Sequence, residues 1–207
     1  MVLNAVSQQI STTTLRTITD QWDTRIAPAN YAFAIWGLIY TLISVFAVFQ
    51  ALPNKWVPSR NNELIFGQIK YVFAINMIGN GAWLIIFMTN STAGFVLSLL
   101  DIIMMLATQV FIMGKSTRAK VNVVEFISLR CGFTNYTGWV TAATILNTSF
   151  FLKSAGMKDP SAGFGETTWV VIIFYVALCV YVSASFYERN PLYGGIYIWV
   201  LFAIKNR

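Results

Sequence analysis

Aromatic rings and side-chain amides recur at helical spacing in three apolar segments of the sequence. In one segment, Asn76, Asn80, Trp83 and Phe87 follow one another at steps of four, three and four residues. Residues three and four apart share one face of a helix, so two amides and two rings stand on a single line. The other two stripes have the same character and comprise Phe33, Trp36, Gly37, Tyr40, Ser44 and Ala47 in the first and Tyr136, Trp139, Ala143, Asn147 and Phe150 in the second.

Such stripes can converge on an interior cavity that accepts a flat apolar ligand and offers it a few hydrogen-bond donors. The alternative is that the asparagines hydrogen-bond between helices and the rings only pack. Both interpretations stay open for the four residues on interior faces, Trp83, Trp139, Asn80 and Asn147. An interfacial aromatic belt fits the three rings close to the ends of apolar runs, Tyr31, Trp169 and Tyr187.

The composition is that of a membrane protein. Of the 207 residues, 57% are hydrophobic and only 11% are charged, which is far outside the balance of a soluble domain. Histidine is absent, Cys131 and Cys179 lie within apolar runs, and the stripes hold no acid–base pair. We therefore expect no enzyme, no metal site and no cofactor. The Lys and Arg residues lie between apolar runs, which indicates headgroup level rather than a nucleic-acid interface.

Apolar runs long enough to cross about 30 Å of hydrocarbon predict an all-α, polytopic transmembrane helical bundle. Its five full spans are Tyr31 to Leu52, Tyr71 to Met88, Gly94 to Gly114, Cys131 to Leu152 and Thr167 to Tyr187. The run from Pro191 to Ile204 predicts a partial sixth span. The side that holds the second and fourth connections carries eight Lys and Arg residues against six, which favours it as the cytoplasmic or matrix side.

The positions of Asp101 and Glu125 relative to these spans call for an interpretation. Asp101 stands well within an apolar run, where a carboxyl group is costly enough to predict a function or a buried partner. The interpretation that we favour is a hydrogen bond to Asn76 or Asn80 that pins two helices together. Glu125 lies at the edge of a span among basic residues, where we expect a solvated or paired surface carboxylate.

Three motifs, in this order, resemble the TspO/MBR family, the tryptophan-rich sensory proteins that include the mitochondrial translocator or peripheral benzodiazepine receptor. They are APANYAFAIWGLIY from Ala27, NGAWLIIF from Asn80 and NYTGWVTAATILN from Asn135. The resemblance implies a bundle, usually of five spans, whose loop before the second helix covers a pocket for tetrapyrroles, sterols or synthetic aromatic ligands. The pocket positions that it implies are Pro28, Tyr31, Trp36, Tyr40, Asn80, Trp83, Tyr136, Trp139, Ala143 and Asn147.

The sequence departs from the family pattern in three places. Asn135 replaces a proline, so no proline kink is expected there. The stretch Phe150 to Lys153 lacks the tyrosine of the sterol-recognition pattern, so a tetrapyrrole is expected before a sterol. Residues 1–26 are polar where the family has its first helix, so the bundle lacks one wall or borrows it. The domains we infer are a polar N-terminal segment (1–26), a TspO/MBR-like core (27–153) and additional C-terminal membrane helices (154–207).

These features predict an integral, multipass membrane protein that binds a ligand, of translocator or sensory type, with lipids and a second copy as partners. A mitochondrial membrane and a bacterial plasma membrane both stay open. The alternative is a non-catalytic structural or assembly subunit of a larger membrane complex, since a bundle with an open wall would seek a protein partner. A transporter would draw only on Asp101 and on no visible inverted repeat.

Overall fold

Polar and turn-forming residues divide the apolar sequence into helices. The computed structural model describes residues 17–22, 24–156 and 166–207, and within those ranges every long element is a helix and no strand occurs. The helices are α1 (Ile35–Ala51), α2 (Val72–Phe87), α3 (Thr92–Arg118), α4 (Gly132–Ser154), α5 (Glu166–Tyr187) and α6 (Pro191–Lys205). A 3₁₀ turn, Asn30–Ala34, leads into α1, and π-helical segments, Glu63–Ile69 and Phe126–Cys131, lead into α2 and α4. The predicted all-α architecture is confirmed.

The predicted number of five full spans is not confirmed. Among the described residues, three helices are long and apolar enough to cross a membrane, namely Asn30–Ala51, Thr92–Arg118 and Val170–Tyr187. The segment Glu63–Ile69 and α2 form a fourth span if they are taken as one element bent by 66°. The apolar helix α6, with 15 residues, matches the predicted partial span. These helices fit an integral, multipass membrane protein.

The helix α4 has 23 residues, which is enough to span a bilayer, but nine of them are Ser, Thr or Asn. Their polarity lowers its hydropathy, and the packing of the helix explains why they are tolerated. α4 lies at the centre of the bundle against α1, α3 and α6. A helix that is surrounded by protein instead of lipid can carry polar residues, since they meet partners on neighbouring helices.

The last two helices are attached to α4 through its polar side. The Tyr181 hydroxyl of α5 donates to the Gly138 carbonyl at 2.5 Å, and the Tyr193 hydroxyl of α6 lies 2.7 Å from the Thr141 hydroxyl. Both tyrosines are buried. A buried hydroxyl needs such a partner because an unsatisfied polar group in an apolar surrounding costs free energy.

The helix α6 also packs against the chain just before α1. The Ala29 amide donates to the Ala203 carbonyl at 2.9 Å, and the Trp199 indole donates to the Ala32 carbonyl at 3.3 Å. α6 therefore packs beside the segment of the chain, around Ala29 and Ala32, that leads into α1. The sequence predicts that the bundle either lacks a wall or borrows one, and among the described residues α6 packs against this part of the core.

Two arginines, one buried and one half-buried, donate hydrogen bonds to the ends of helices on the side of the bundle that is richer in basic residues. The Arg60 guanidinium donates to the carbonyls of Phe49 and Leu52 at the end of α1, at 3.1 and 2.7 Å. The Arg130 guanidinium donates to the Ser116 carbonyl near the end of α3, at 2.8 Å. The last carbonyls of a helix have no partner within it, so these arginines satisfy groups that would otherwise lack one.

The prediction for Glu125 was wrong. Its side chain is fully buried and accepts hydrogen bonds from the backbone amides of Asn61, at 2.6 Å, and Asn122, at 2.9 Å. The Asn122 side chain in turn accepts from the Glu125 amide at 2.9 Å, which completes a capping box. The partners of this buried carboxylate are therefore backbone amides and not surface cations.

The close approach of α4 and α6 makes a test of the fold. A methyl group on Gly138 would lie 2.9 Å from Ile196, whereas a methyl group on Gly81 of α2 meets nothing within 4 Å. Overpacking of this kind costs about 1–3 kcal/mol, so we expect Gly138→Ala to lower the free energy of unfolding in detergent. Gly81→Ala is the matched control and should be neutral or stabilising by up to about 1 kcal/mol. Equal unfolding midpoints for the two variants would contradict this packing.

Candidate ligand-binding site

An apolar cavity of about 80 Å³ lies where the aromatic stripes meet, and residues of all six helices, α1 to α6, line it. Its lining includes the indoles of three helices, namely Trp36, Trp83 and Trp139. Of the ten predicted pocket residues, six line it, and they are Pro28, Trp36, Trp83, Trp139, Ala143 and Asn147.

The rings around the cavity contact one another mostly edge to face. Trp36 and Trp139 have ring centroids 6.2 Å apart at 82°, and Phe33 meets Trp139 at 5.7 Å and 84°. Trp83 stacks on Phe87 at 5.1 Å and 22°. Edge-to-face and offset contacts at these distances are favourable for aromatic pairs. The rings hold each other in defined orientations, so the indole side of the cavity is a preorganised surface.

Three of the remaining predicted residues form a hydrogen-bonded chain beside the cavity. The Tyr40 hydroxyl donates to Asn80 Oδ1 at 3.1 Å, and Asn80 Nδ2 donates to the Tyr136 hydroxyl at 2.8 Å. Trp36 stacks on Tyr40 at 5.1 Å and contacts the ring of Tyr136 at 5.8 Å. This series of hydrogen bonds joins α1, α2 and α4, and its two tyrosines, Tyr40 and Tyr136, contact the Trp36 indole.

The tenth predicted residue, Tyr31, lies outside the cavity. Its ring is 40% exposed and packs edge to face on Trp199 at 5.6 Å. Its hydroxyl donates to the Phe202 carbonyl at 3.3 Å. In this position Tyr31 attaches α6 to the start of the helical core.

The amide of Asn147 lines the cavity but is already bound within the protein. Asn147 Oδ1 accepts from the Ser98 hydroxyl at 3.1 Å and from the Trp83 indole at 3.4 Å, and Nδ2 donates to the Ala143 carbonyl at 3.1 Å. These bonds orient Trp83. A ligand therefore meets a surface that is mainly apolar, and its affinity would come from shape and ring contacts.

Asp101 lies outside this lining. Its predicted partners direct their amide nitrogens elsewhere, since Asn76 Nδ2 donates to the Met105 carbonyl at 2.9 Å and Asn80 Nδ2 donates to Tyr136. Asp101 is half-buried, and its Oδ2 atom is buried without a hydrogen-bond partner among the described residues. Its carboxyl instead faces Gly79, where a methyl group would lie 3.1 Å from Oδ1.

Comparison of the sequence with protein families identifies the family of the chain. A family model described as TSPO-like protein matches residues 1–207, which is the whole chain. The chain belongs to the TSPO-like family. The resemblance that the three motifs predicted is thus confirmed, and it extends over the N-terminal segment and the last two helices. Neither a curated protein nor a solved structure matches the chain.

Sequence reasoning expected the loop that contains Pro28 to cover the pocket of this TSPO-like protein, but it missed the contribution of the residues before that loop. Residues 17–22 and 24–28, here termed the N-terminal strap, include three cavity-lining side chains, Thr19, Ile26 and Pro28. Ile18 is buried against the phenylalanine cluster of Phe87, Phe95 and Phe150. The signal was weak, because two apolar residues four apart, Ile18 and Trp22, stand in a segment rich in Ser and Thr.

The middle of the strap is held by two parts of the bundle. The Trp22 indole donates to Asn90 Oδ1, and Asn90 Nδ2 donates to Gln21 Oε1, each at 2.8 Å. Two residues after Trp22, the Thr24 carbonyl accepts from Arg207 at 3.1 Å. The strap therefore bridges the turn between α2 and α3 and the end of the last helix.

The free volume of the cavity is small. A cavity of about 150 Å³ is known to hold a single benzene molecule, and this cavity measures about 80 Å³. A ligand the size of a macrocycle requires movement of the strap, the rings or the helices that wall the cavity.

The strap contacts yield a second test. Asn90 has a positive φ of 47°, so Asn90→Gly removes both side-chain hydrogen bonds while it suits the backbone of the turn. Each bond contributes about 0.5–1.5 kcal/mol, so we expect the strap to open about 5- to 150-fold more often. Limited trypsin digestion after the exposed Arg25, followed by mass spectrometry, measures this opening.

The control variant is Arg189→Gly, because Arg189 has a similar φ of 49° in the turn between α5 and α6. That turn joins the opposite ends of the helices and is remote from the strap. Cleavage after Arg25 should be unchanged in this variant. An unchanged rate in Asn90→Gly would show that Asn90 does not hold the strap.

Proposed function

We propose that this membrane protein binds a flat apolar molecule between the Trp36, Trp83 and Trp139 indoles, a tetrapyrrole before a sterol. The observation that carries the proposal is the convergence of these indoles, from three helices, on one apolar cavity. Indole faces and edges suit planar, electron-rich ring systems because aromatic contacts favour defined geometries over mere apolar burial. The family membership supports a translocator or sensory role for a protein built in this way.

The lining supports binding rather than turnover. Among the described residues that line the cavity, none is Asp, Glu, Lys, Arg or Cys, and the sequence contains no histidine. General acid–base catalysis relies mainly on those side chains. The amide of Asn147 already has partners within the protein, so the role that we propose is to hold and release a ligand.

The small free volume bears on how a ligand enters, because the cavity must enlarge before a macrocycle can bind. The strap is held partly by side-chain hydrogen bonds to Asn90 and Arg207 and partly by buried residues such as Ile18 and Ile26. We propose that ligand uptake follows release of the strap and that rebinding of the strap encloses the ligand.

A second candidate role is that of a non-catalytic subunit of a larger membrane complex. The supporting observation is the exposure of α5, since only 11% of the residues in its apolar stretch are buried in the bundle. Tyr175 and Phe186 are 66% and 80% exposed there. Lipid accounts for such a face, and a partner subunit in the membrane would also cover it.

Ligand binding is tested by titration of protoporphyrin IX into the purified protein in detergent, with tryptophan emission as the signal. We expect quenching in the wild type and an affinity weaker by about tenfold or more in Trp139→Ala, because the ligand loses a ring contact. Trp56→Ala is the control, since Trp56 is 66% exposed in the loop after α1 and should leave the affinity unchanged.

The two roles give different outcomes. Unchanged emission in the wild type on addition of protoporphyrin, or an affinity in Trp139→Ala equal to that of the wild type, would overturn the proposed pocket. Native electrophoresis in mild detergent then tests the alternative. Migration with many other chains would favour the subunit, and migration as a small oligomer would not.

A further inference from the structure

The lining of the cavity changes in chemical character from one side to the other. The lining residues that α1 and α2 contribute, Trp36, Trp83 and Phe87, are all aromatic, whereas α4 contributes both aromatic and aliphatic residues. The lining residues of α5 and α6 are mainly aliphatic, and besides Phe174 and two tyrosines they are Ile173, Ala177, Val200, Leu201 and Ile204. These residues lie in helices that follow the three family motifs in the sequence, so the motifs contain no information about them.

The aliphatic side is completed by two tyrosines that offer only their rings. Tyr181 and Tyr197 both line the cavity and stack on each other at 5.0 Å and 23°. The Tyr181 hydroxyl donates to the Gly138 carbonyl at 2.5 Å, and the Tyr197 hydroxyl donates to the Phe174 carbonyl at 2.7 Å. Because both hydroxyls are bound to backbone carbonyls, a ligand on this side meets hydrocarbon.

The same hydrogen bonds fix the position of this side. Tyr181 attaches α5 to α4, and Tyr197 attaches α6 to α5. Ala177 is 4% exposed and Val200 is 9% exposed, so the aliphatic residues are set into the bundle and not turned to lipid. A wall that is both apolar and held in place can select a ligand by shape, because interiors pack closely and tolerate added volume poorly.

We infer that α5 and α6 form a specificity wall that binds an aliphatic substituent of the ligand while the indoles bind its flat ring system. The ligand class is a planar polycyclic molecule that carries an alkyl arm. This inference rests on the proposed function, and it adds that the substituent, and not the ring, is read by the C-terminal helices.

The proposal is tested with pyrene and 1-butylpyrene, which differ only by the alkyl arm, and with energy transfer from tryptophan as the signal. Both probes partition into detergent, and this partition is the same for every variant. The ratio of the two affinities, compared between wild type and variant, therefore reports the wall alone. All measurements use the full chain in one detergent at one concentration.

Ala177→Leu adds volume to the aliphatic wall, and the free space of about 80 Å³ can take it up. We expect 1-butylpyrene to bind about tenfold or more weakly in this variant, while pyrene stays within about twofold, because the added side chain occupies the place of the arm. Ala143→Leu, on the stripe of α4, should weaken both probes equally. Val182→Leu is the control, since Val182 is 43% exposed on the same helix and should change neither affinity.

Val200→Ala tests the opposite change and keeps the proposal falsifiable if Ala177→Leu fails to fold. It enlarges the wall, so 1-hexylpyrene should gain affinity relative to 1-butylpyrene. The specificity wall alone would be overturned if Ala177→Leu weakened the affinities for pyrene and 1-butylpyrene to the same extent. It would also be overturned if Val200→Ala did not change how affinity depends on the length of the alkyl arm. Wild-type protein that binds neither probe would overturn the proposed function as well.

Discussion

The polar side of α4 is the constraint on which the rest of the structure depends. Helices in lipid gain nothing from hydrophobic association with each other, because lipid is as apolar as their own side chains. They need close backbone approach and hydrogen bonds, and α4 supplies both. Gly138 lets α6 approach and offers its carbonyl to Tyr181, while Thr141 contacts Tyr193. The opposite side of α4 is then free to present Trp139 and Asn147 to the cavity.

The amides serve the aromatic rings rather than the ligand. Asn80 links the hydroxyls of Tyr40 and Tyr136, and Tyr40 supports the ring of Trp36. Asn147 holds the indole of Trp83. Buried amides are expensive to leave without partners, so each one restricts the rings around it. The interpretation as interhelical packing and the interpretation as a pocket are thus compatible, because the packing orients the rings that line the cavity.

The sequence predicts the indole side of the cavity well and the opposite side hardly at all. Amphipathic stripes and motifs identify Trp36, Trp83 and Trp139 because they stand out from aliphatic neighbours. The helix α5 is apolar on every side, so no face of it could be selected before its partners were known. The predicted number of five full spans is not confirmed, in part because the polar residues of α4 lower its hydropathy although the helix has 23 residues. Glu125 was misjudged for a related reason, since its partners are backbone amides, which no residue type indicates.

The strap lines the cavity and is attached to a helix that lies far from it in the sequence. Thr24 of the strap and Ala29, just after it, bind the end of α6 through Arg207 and Ala203, and the inner face of α6 lines the cavity through Val200 and Leu201. We therefore expect a displacement of α6 that makes room for a ligand to move the anchor of the strap as well. In this way α6 connects the interior of the bundle to its surface.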